Sequence, residues 1–244
     1  MLRWLLGFVV SMVAMSIPRM VPAATFTPVW LKGPEPRALI LIQGPIVPGD
    51  TSRLMATMNV IVHARPGAKT LAVDLNTPGG NVAEGEALAT IIGLNGLDTV
   101  LYPGATCASA CPMMFFAGSR KILGSGARLG VHRASIGPNG NESPSTMDTS
   151  IRIGRMLTRL GAPKRVIEKL LATPPGSITW LIAADLVGVQ GLEAGPSPTG
   201  APSDEFARGW DDGRRNAATS PCGADMSAYS DGCRAGADSA GGRR

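Results

Sequence analysis

Acyl transfer needs a nucleophile, a base, and donors for the oxyanion that develops on the carbonyl. Three short stretches of this chain carry groups of those kinds. The first is Thr106-Cys107-Ala108-Ser109-Ala110-Cys111, where a serine stands between small residues ahead of an apolar run, Pro112 to Gly118. Ala108 and Ala110 let a substrate approach the hydroxyl. A serine at a helix start also lies in the positive end of the helix dipole. Taken alone, Ser109 reads more readily as a helix N-cap. The second stretch holds one of only two histidines in the chain. His63 falls late in an amphipathic segment, beside Ala64 and Arg65, and reads as a surface or half-buried residue. His132 ends Leu129-Gly130-Val131-His132 just before a loop, where a strand holds the side chain and the loop exposes it. An imidazole titrates near neutrality, so it can take a serine proton. The third stretch is Asn76-Thr77-Pro78-Gly79-Gly80, after an apolar strand and before a helix. Glycines there adopt torsions closed to other residues and turn N–H groups outward. The amide of Gly80 or of Gly79, paired with that of Ala110, is the candidate oxyanion hole. A lone Pro-Gly-Gly is usually just a turn.

These groups must be placed by a scaffold, and the hydrophobic pattern outlines it. Thr25 to Pro36 is an extended, Pro-interrupted lead, followed by a strand over Arg37–Gln43 (RALILIQ). Asp50 or Thr51 can cap a helix running to about His63. Thr70–Leu75 is a strand whose solid apolar character predicts burial on both faces. A helix from Ala83 to Leu94, a strand over Thr99–Tyr102 and a helix over Ser109–Ala117 follow. Two short strands bracket Gly124-Ser125-Gly126. Ile136 to Thr146 reads as a loop, and helices are expected over Met147–Leu160, Pro163–Ala172 and Ile178–Val187. Strand, turn and helix in alternation predict a layered α/β fold.

The ends of the chain differ from its middle. Arg3 precedes a nearly all-apolar stretch, Trp4 to Ile17, and small residues follow at Ala23 and Ala24. That pattern predicts a signal peptide over residues 1–23 and a periplasmic or secreted protein. The apolar stretch is shorter than the roughly 20 residues a bilayer span needs. The alternative is an uncleaved N-terminal anchor, the one expected contact with a membrane. The main domain is expected over 24–193, a Pro/Gly/Ser linker over 194–204, and a polar tail over 205–244 that is either a small appendage or disordered. Export gives the four cysteines a meaning, because disulfides persist in oxidising compartments. Cys222 and Cys233 sit close together in the tail and are the favoured pair. Cys107 and Cys111, flanking Ser109, are a second candidate pair. No second ligand pair has zinc-like spacing, so no metal is expected. The net charge of +5 includes Arg3 and Arg19, and no basic run is interleaved with aromatics, which argues against nucleic acid as a partner.

Order and context together resemble one family, the proteolytic subunit of the Clp protease within the crotonase superfamily. Asn76-Thr77-Pro78-Gly79-Gly80 looks like its oxyanion turn. Cys107-Ala108-Ser109-Ala110-Cys111 with Pro112 to Gly118 looks like its nucleophile segment. Arg120 to Gly126, then Gly130-Val131-His132-Arg133-Ala134, looks like its return strands with the catalytic histidine. The likeness runs from about Leu39 to Leu192 and is strongest between Asp74 and His132. It implies a crotonase/ClpP-like spiral of ββα units and a serine peptidase with no cofactor, acting on peptides or unfolded proteins. Self-association into homo-oligomers is implied as well. The signal segment points to an exported branch. One departure stands out: the place of the family's orienting aspartate falls near Gly176-Ser177, where there is no carboxylate. Ser177, Thr173 or a backbone carbonyl is left to hold the imidazole. Asp185 and Asp148 are more remote acids, and Lys121 is a rival base. A Ser-His dyad is the expected machinery. The alternatives are a catalytically silent binding protein and a crotonase-type acyl-CoA enzyme.

Overall fold

The computed structural model describes residues 23–31, 36–137 and 140–195. The expected signal segment, most of the linker, and the tail with Cys222 and Cys233 lie outside the described residues. Two sheets and a set of helices make up the architecture. The larger sheet has the order β1-β2-β3-β4-β6-β9, with β1 (Thr25–Leu31), β2 (Arg37–Gln43), β3 (Lys69–Asn76), β4 (Asp98–Leu101), β6 (Lys121–Leu123) and β9 (Leu192–Ala194). The smaller has the order β5-β7-β8, from β5 (Thr106–Ala108), β7 (Arg128–Val131) and β8 (Thr179–Trp180). The helices are α1 (Asp50–Ala64), α2 (Val82–Leu94), α3 (Cys111–Ala117), α4 (Pro144–Arg159) and α5 (Lys164–Ala172).

The chain winds as a spiral. β4, β5 and α3 form one unit, and β6, β7 and α4 form the next, each with one strand in each sheet. Earlier turns of the spiral reduce the second strand to a single bridge, Ile46 to Gly80 and Thr77 to Cys107. Neighbours in the large sheet are parallel except at β1, which runs antiparallel along the whole of β2. The lead expected to be merely extended is therefore an edge strand, paired on one side only, which is where a proline such as Pro28 is tolerated in a sheet. β2 is buried on both faces and carries no polar alternation, as an interior parallel strand requires. Its Ala38, Ile40 and Ile42 join Val73 and Leu75 of β3 in the main core. Leu54 and Ile61, Leu88 and Ile92, Ile153 and Leu157, and Val166 and Leu170 bring α1, α2, α4 and α5 to the same core. Every residue of α3 is buried, which accounts for a helix apolar all round. Gly85 lets α2 approach α3 closely: a Cβ there would lie 3.0 Å from the Ala110 Cβ.

Three local expectations are corrected. Neither Asp50 nor Thr51 caps α1, whose N-cap is Gly49 at φ 96°. Glu84 of α2 does the work from a distance, accepting from the Gly49 and Thr51 amides, each at 2.8 Å, and from the Thr51 hydroxyl. Those bonds, the Thr51 hydroxyl foremost, hold the Glu84 carboxyl below its ordinary range. The loop expected up to Thr146 ends at Ser143, which caps α4 in a capping box with Thr146. The helix expected over Ile178–Val187 does not form. Thr179 and Trp180 instead pair antiparallel with β7, and only a short 3-10 turn, Ala183–Leu186, remains. Gly130 makes this possible, since a Cβ there would lie 2.5 Å from Ile178 and 2.7 Å from the Trp180 ring. The Arg128 guanidinium stacks 3.7 Å above that ring and fixes it to β7.

Candidate active site

The serine stretch and the histidine stretch meet along one parallel strand pair. β5 runs beside β7 with Ala108 opposite Gly130, and the Ser109 amide donates to the Gly130 carbonyl at 3.1 Å. Ser109 thus leaves β5 where β7 approaches its end, two residues short of His132. β5 is only three residues long, too short to show a period in the sequence. Ser109 is not the cap of α3; that position is Ala110, without a side-chain cap bond. Ser109 instead adopts φ 60°, the one positive φ outside glycine among the described residues. For an L-residue this left-handed conformation costs roughly 1–2 kcal/mol. Strain of this kind persists only where the surroundings impose it, and it gathers at functional sites. The residue is half-buried, and its hydroxyl makes no hydrogen bond among the described residues.

The glycine turn presses on this segment from the other side. Gly79 has φ 89°, and a Cβ there would lie 2.4 Å from the Ala108 carbonyl oxygen, 2.6 Å from the Ser109 Cβ and 2.7 Å from the Ala110 nitrogen. Thr77 locks the turn to β5, donating to the Thr106 carbonyl at 2.8 Å and accepting from the Ala108 amide at 3.2 Å. Of the two glycine amides, that of Gly79 is satisfied by the Thr77 hydroxyl at 3.1 Å. The Gly80 amide, on an exposed residue, and the Ala110 amide donate to no protein acceptor among the described residues. Two unspent N–H donors therefore lie next in sequence to the two residues in contact, Ser109 and Gly79.

His132 is half-buried, and its Nδ1 lies 2.7 Å from the backbone carbonyl of Arg133. A carbonyl oxygen only accepts, so Nδ1 is the donor in this contact, and Nε2 is the ring nitrogen left without a partner among the described residues. Among the described residues no hydrogen bond joins the ring to the Ser109 hydroxyl; such bonds commonly tighten only around substrate. Of the three ways left open for orienting the imidazole, the backbone carbonyl is the one in contact. The Thr173 hydroxyl is engaged with Thr179 at 2.7 Å and with the Lys169 carbonyl, and Ser177 is exposed. Arg133 is itself anchored: its amide donates to the Thr173 carbonyl at 2.9 Å, and its guanidinium reaches Leu171 and Glu142. The end of α5 thereby holds the group that holds the histidine.

The remaining ionisable candidates stand elsewhere. Lys121 is buried in β6, and its ammonium donates to the carbonyls of Gly118 at 2.7 Å and Gln190 at 3.2 Å. Burial pushes its pKa down, but two of its three donors are engaged in tying β6 to the turn before β9. His63 is exposed on α1, with Nδ1 against Asn59. Asp148 is exposed on α4. Asp185 is buried and accepts from the Ile182 amide at 2.8 Å and the Lys169 ammonium at 2.6 Å. Burial works to raise its pKa, but those two bonds, with the positive charges of Lys169 and Arg165, outweigh it and hold the carboxyl below its ordinary value. A depressed carboxylate stabilises the fold above the unfolded-state pKa and loses that contribution as pH falls through the folded value. Asp185→Asn is therefore expected to lower stability by about 2 kcal/mol at neutral pH. The gap from wild type should close below about pH 4 in urea titrations followed by circular dichroism.

The winding and the two sheets can be set beside solved structures. A membrane-bound stomatin-specific protease, 1510-N, determined as a lysine-to-alanine mutant with a substrate peptide, has a TM-score of 0.50 and 18% identity over 63% of this chain and 72% of its own. The chain has a ClpP-like α/β fold. The same protease as a serine-to-alanine mutant gives 0.49 and 17%, over 63% of this chain and 76% of its own. A mutant of ClpP1 from Listeria monocytogenes gives 0.49 and 17%, over 63% and 89%. No family model matches the chain, and no curated protein matches it. At this identity the likeness speaks to the ClpP-like fold and not to individual residues.

Proposed function

We propose that this chain is an exported serine peptidase in which Ser109 is the nucleophile and His132 its base. The observation that carries the reading is the convergence at Ser109. A strained serine faces a glycine turn too close to admit a Cβ at Gly79, and the Gly80 and Ala110 amides next to them in sequence have no protein acceptor among the described residues. In the reaction, the Ser109 oxygen attacks the scissile carbonyl carbon and its proton passes to His132 Nε2. The carbonyl oxygen becomes an oxyanion held by the Gly80 and Ala110 amides. The imidazolium then protonates the departing amine as the C–N bond breaks. Water, giving its proton to the same nitrogen, hydrolyses the ester and restores the serine. The Arg133 carbonyl keeps Nδ1–H in place throughout.

Peptides are the favoured substrate class, because the structural neighbour 1510-N was determined with a substrate peptide and the site needs no cofactor for this chemistry. Export is supported by the N-terminal pattern and by the disulfide between Cys107 and Cys111, a bond that persists in oxidising compartments. The test is covalent labelling of the full oxidised chain with a fluorophosphonate. The expected product is a phosphonylated tryptic peptide containing Ser109, missing in Ser109→Ala. A folded protein that takes up no label overturns the assignment.

A further inference from the structure

Cys107 and Cys111 are joined by a disulfide, and the residues it encloses are Ala108, Ser109 and Ala110. The loop so closed contains the proposed nucleophile and one proposed oxyanion donor, with a single further residue. Both cysteines are fully buried. Each is fastened to a rigid element. Cys107 lies in β5 opposite Leu129 and is bridged on its other side to Thr77. Cys111 opens α3, which is buried along its whole length. Between these anchors Ser109 holds φ 60°, and its hydroxyl forms no local hydrogen bond that would favour that conformation. Serine prefers the extended or right-handed regions, so the turn must be imposed. Gly79 presses on it from one side, and the disulfide sets the spacing of its ends.

We infer that this disulfide is a redox-dependent positioning device for the site. Oxidised, it keeps Ser109 in the left-handed conformation and the Ala110 amide directed at the oxyanion. A dithiol reductant delivers two electrons and two protons, the S–S bond breaks to two thiols, and the dithiol becomes a disulfide in turn. The segment between Cys107 and Cys111 then relaxes toward the torsions serine prefers, and acyl transfer is lost while both sheets persist. The inference rests on the serine-peptidase reading and adds regulation to it. A precursor held in a reducing compartment stays inactive, and activity appears where the bond can form.

The test uses the Cys222→Ser/Cys233→Ser protein, whose remaining cysteines are Cys107 and Cys111. Oxidised, it should accept fluorophosphonate at the wild-type rate. After dithiothreitol, with thiol formation confirmed by mass spectrometry, labelling should slow by about 100-fold, the scale of a misplaced reacting group. Reoxidation with glutathione disulfide should restore it. With a peptide ester, kcat should carry the loss and KM should move little, and the far-UV spectrum should stay unchanged. Cys107→Ala/Cys111→Ala, folded by the same spectrum, should label slowly and ignore the reductant. Equal labelling of oxidised and reduced forms, or a bond that dithiothreitol cannot open while the protein stays folded, overturns the inference and leaves the peptidase intact. Loss of the folded spectrum on reduction overturns it too, making the bond a staple of the fold. No labelling in any form overturns the peptidase reading first and the inference with it.

Discussion

His132→Ala is expected to slow acylation of Ser109 by about 1,000-fold, a figure placed between two limits. In a complete Ser-His-Asp triad, loss of the histidine costs about 10⁶ in kcat, and loss of the aspartate alone about 10⁴, so a dyad lacking any orienting group would leave the histidine roughly 10². The acid has two duties: it fixes tautomer and ring orientation, and its charge stabilises the imidazolium. The Arg133 carbonyl, 2.7 Å from Nδ1, performs the first and lacks the charge for the second. His132 should therefore be worth more than in a bare dyad and less than in a full triad. The measurement is the second-order rate of fluorophosphonate labelling, with His63→Ala as control. That residue is exposed on α1, and its loss should change the rate by less than about twofold. A His132→Ala rate within tenfold of wild type would remove the imidazole from the mechanism.

Much of the scaffold was legible because the signals were local and strong. The apolar run of β2 has no polar face to show, and the alternation of strand, turn and helix announced the layers. The glycine turn, the serine and the histidine stood out by residue type. What failed to show depended on contacts across long stretches of chain. Glu84 caps a helix from across the chain, accepting from Thr51, 33 residues before it, and no local pattern encodes that bond. Trp180 leaves a helical-looking segment for β7 because Gly130 makes room and Arg128 stacks upon the ring. The support of His132 was hidden for another reason. A search for a third catalytic residue looks for a carboxylate, whereas a backbone carbonyl belongs to every residue and has no sequence signature. The left-handed serine was equally invisible, since residue type alone would have placed it as an ordinary cap.

Gly79→Ala should separate strain from chemistry when set against Gly49→Ala. The two glycines have nearly the same torsion, φ 89° and φ 96°, so an added methyl carries a similar conformational cost of about 1 kcal/mol at either position. Their surroundings differ completely. At Gly49 a Cβ meets nothing within 4 Å, whereas at Gly79 it would fall 2.4 Å from the Ala108 carbonyl and 2.7 Å from the Ala110 nitrogen. Neither backbone atom can rotate away, so the turn and the serine segment must move apart. That displacement carries the Gly80 and Ala110 amides out of register with a single oxyanion. The loss of one such donor is worth about 10²–10³ in rate, and the Gly79→Ala protein should fall by at least that factor. Its stability should drop by more than that of Gly49→Ala, because the clash adds to the torsional cost. Gly49→Ala should keep wild-type acylation, its site lying at the head of α1. Equal acylation by the two variants would mean that the contact between glycine turn and serine is packing alone, and the oxyanion hole would have to be sought elsewhere.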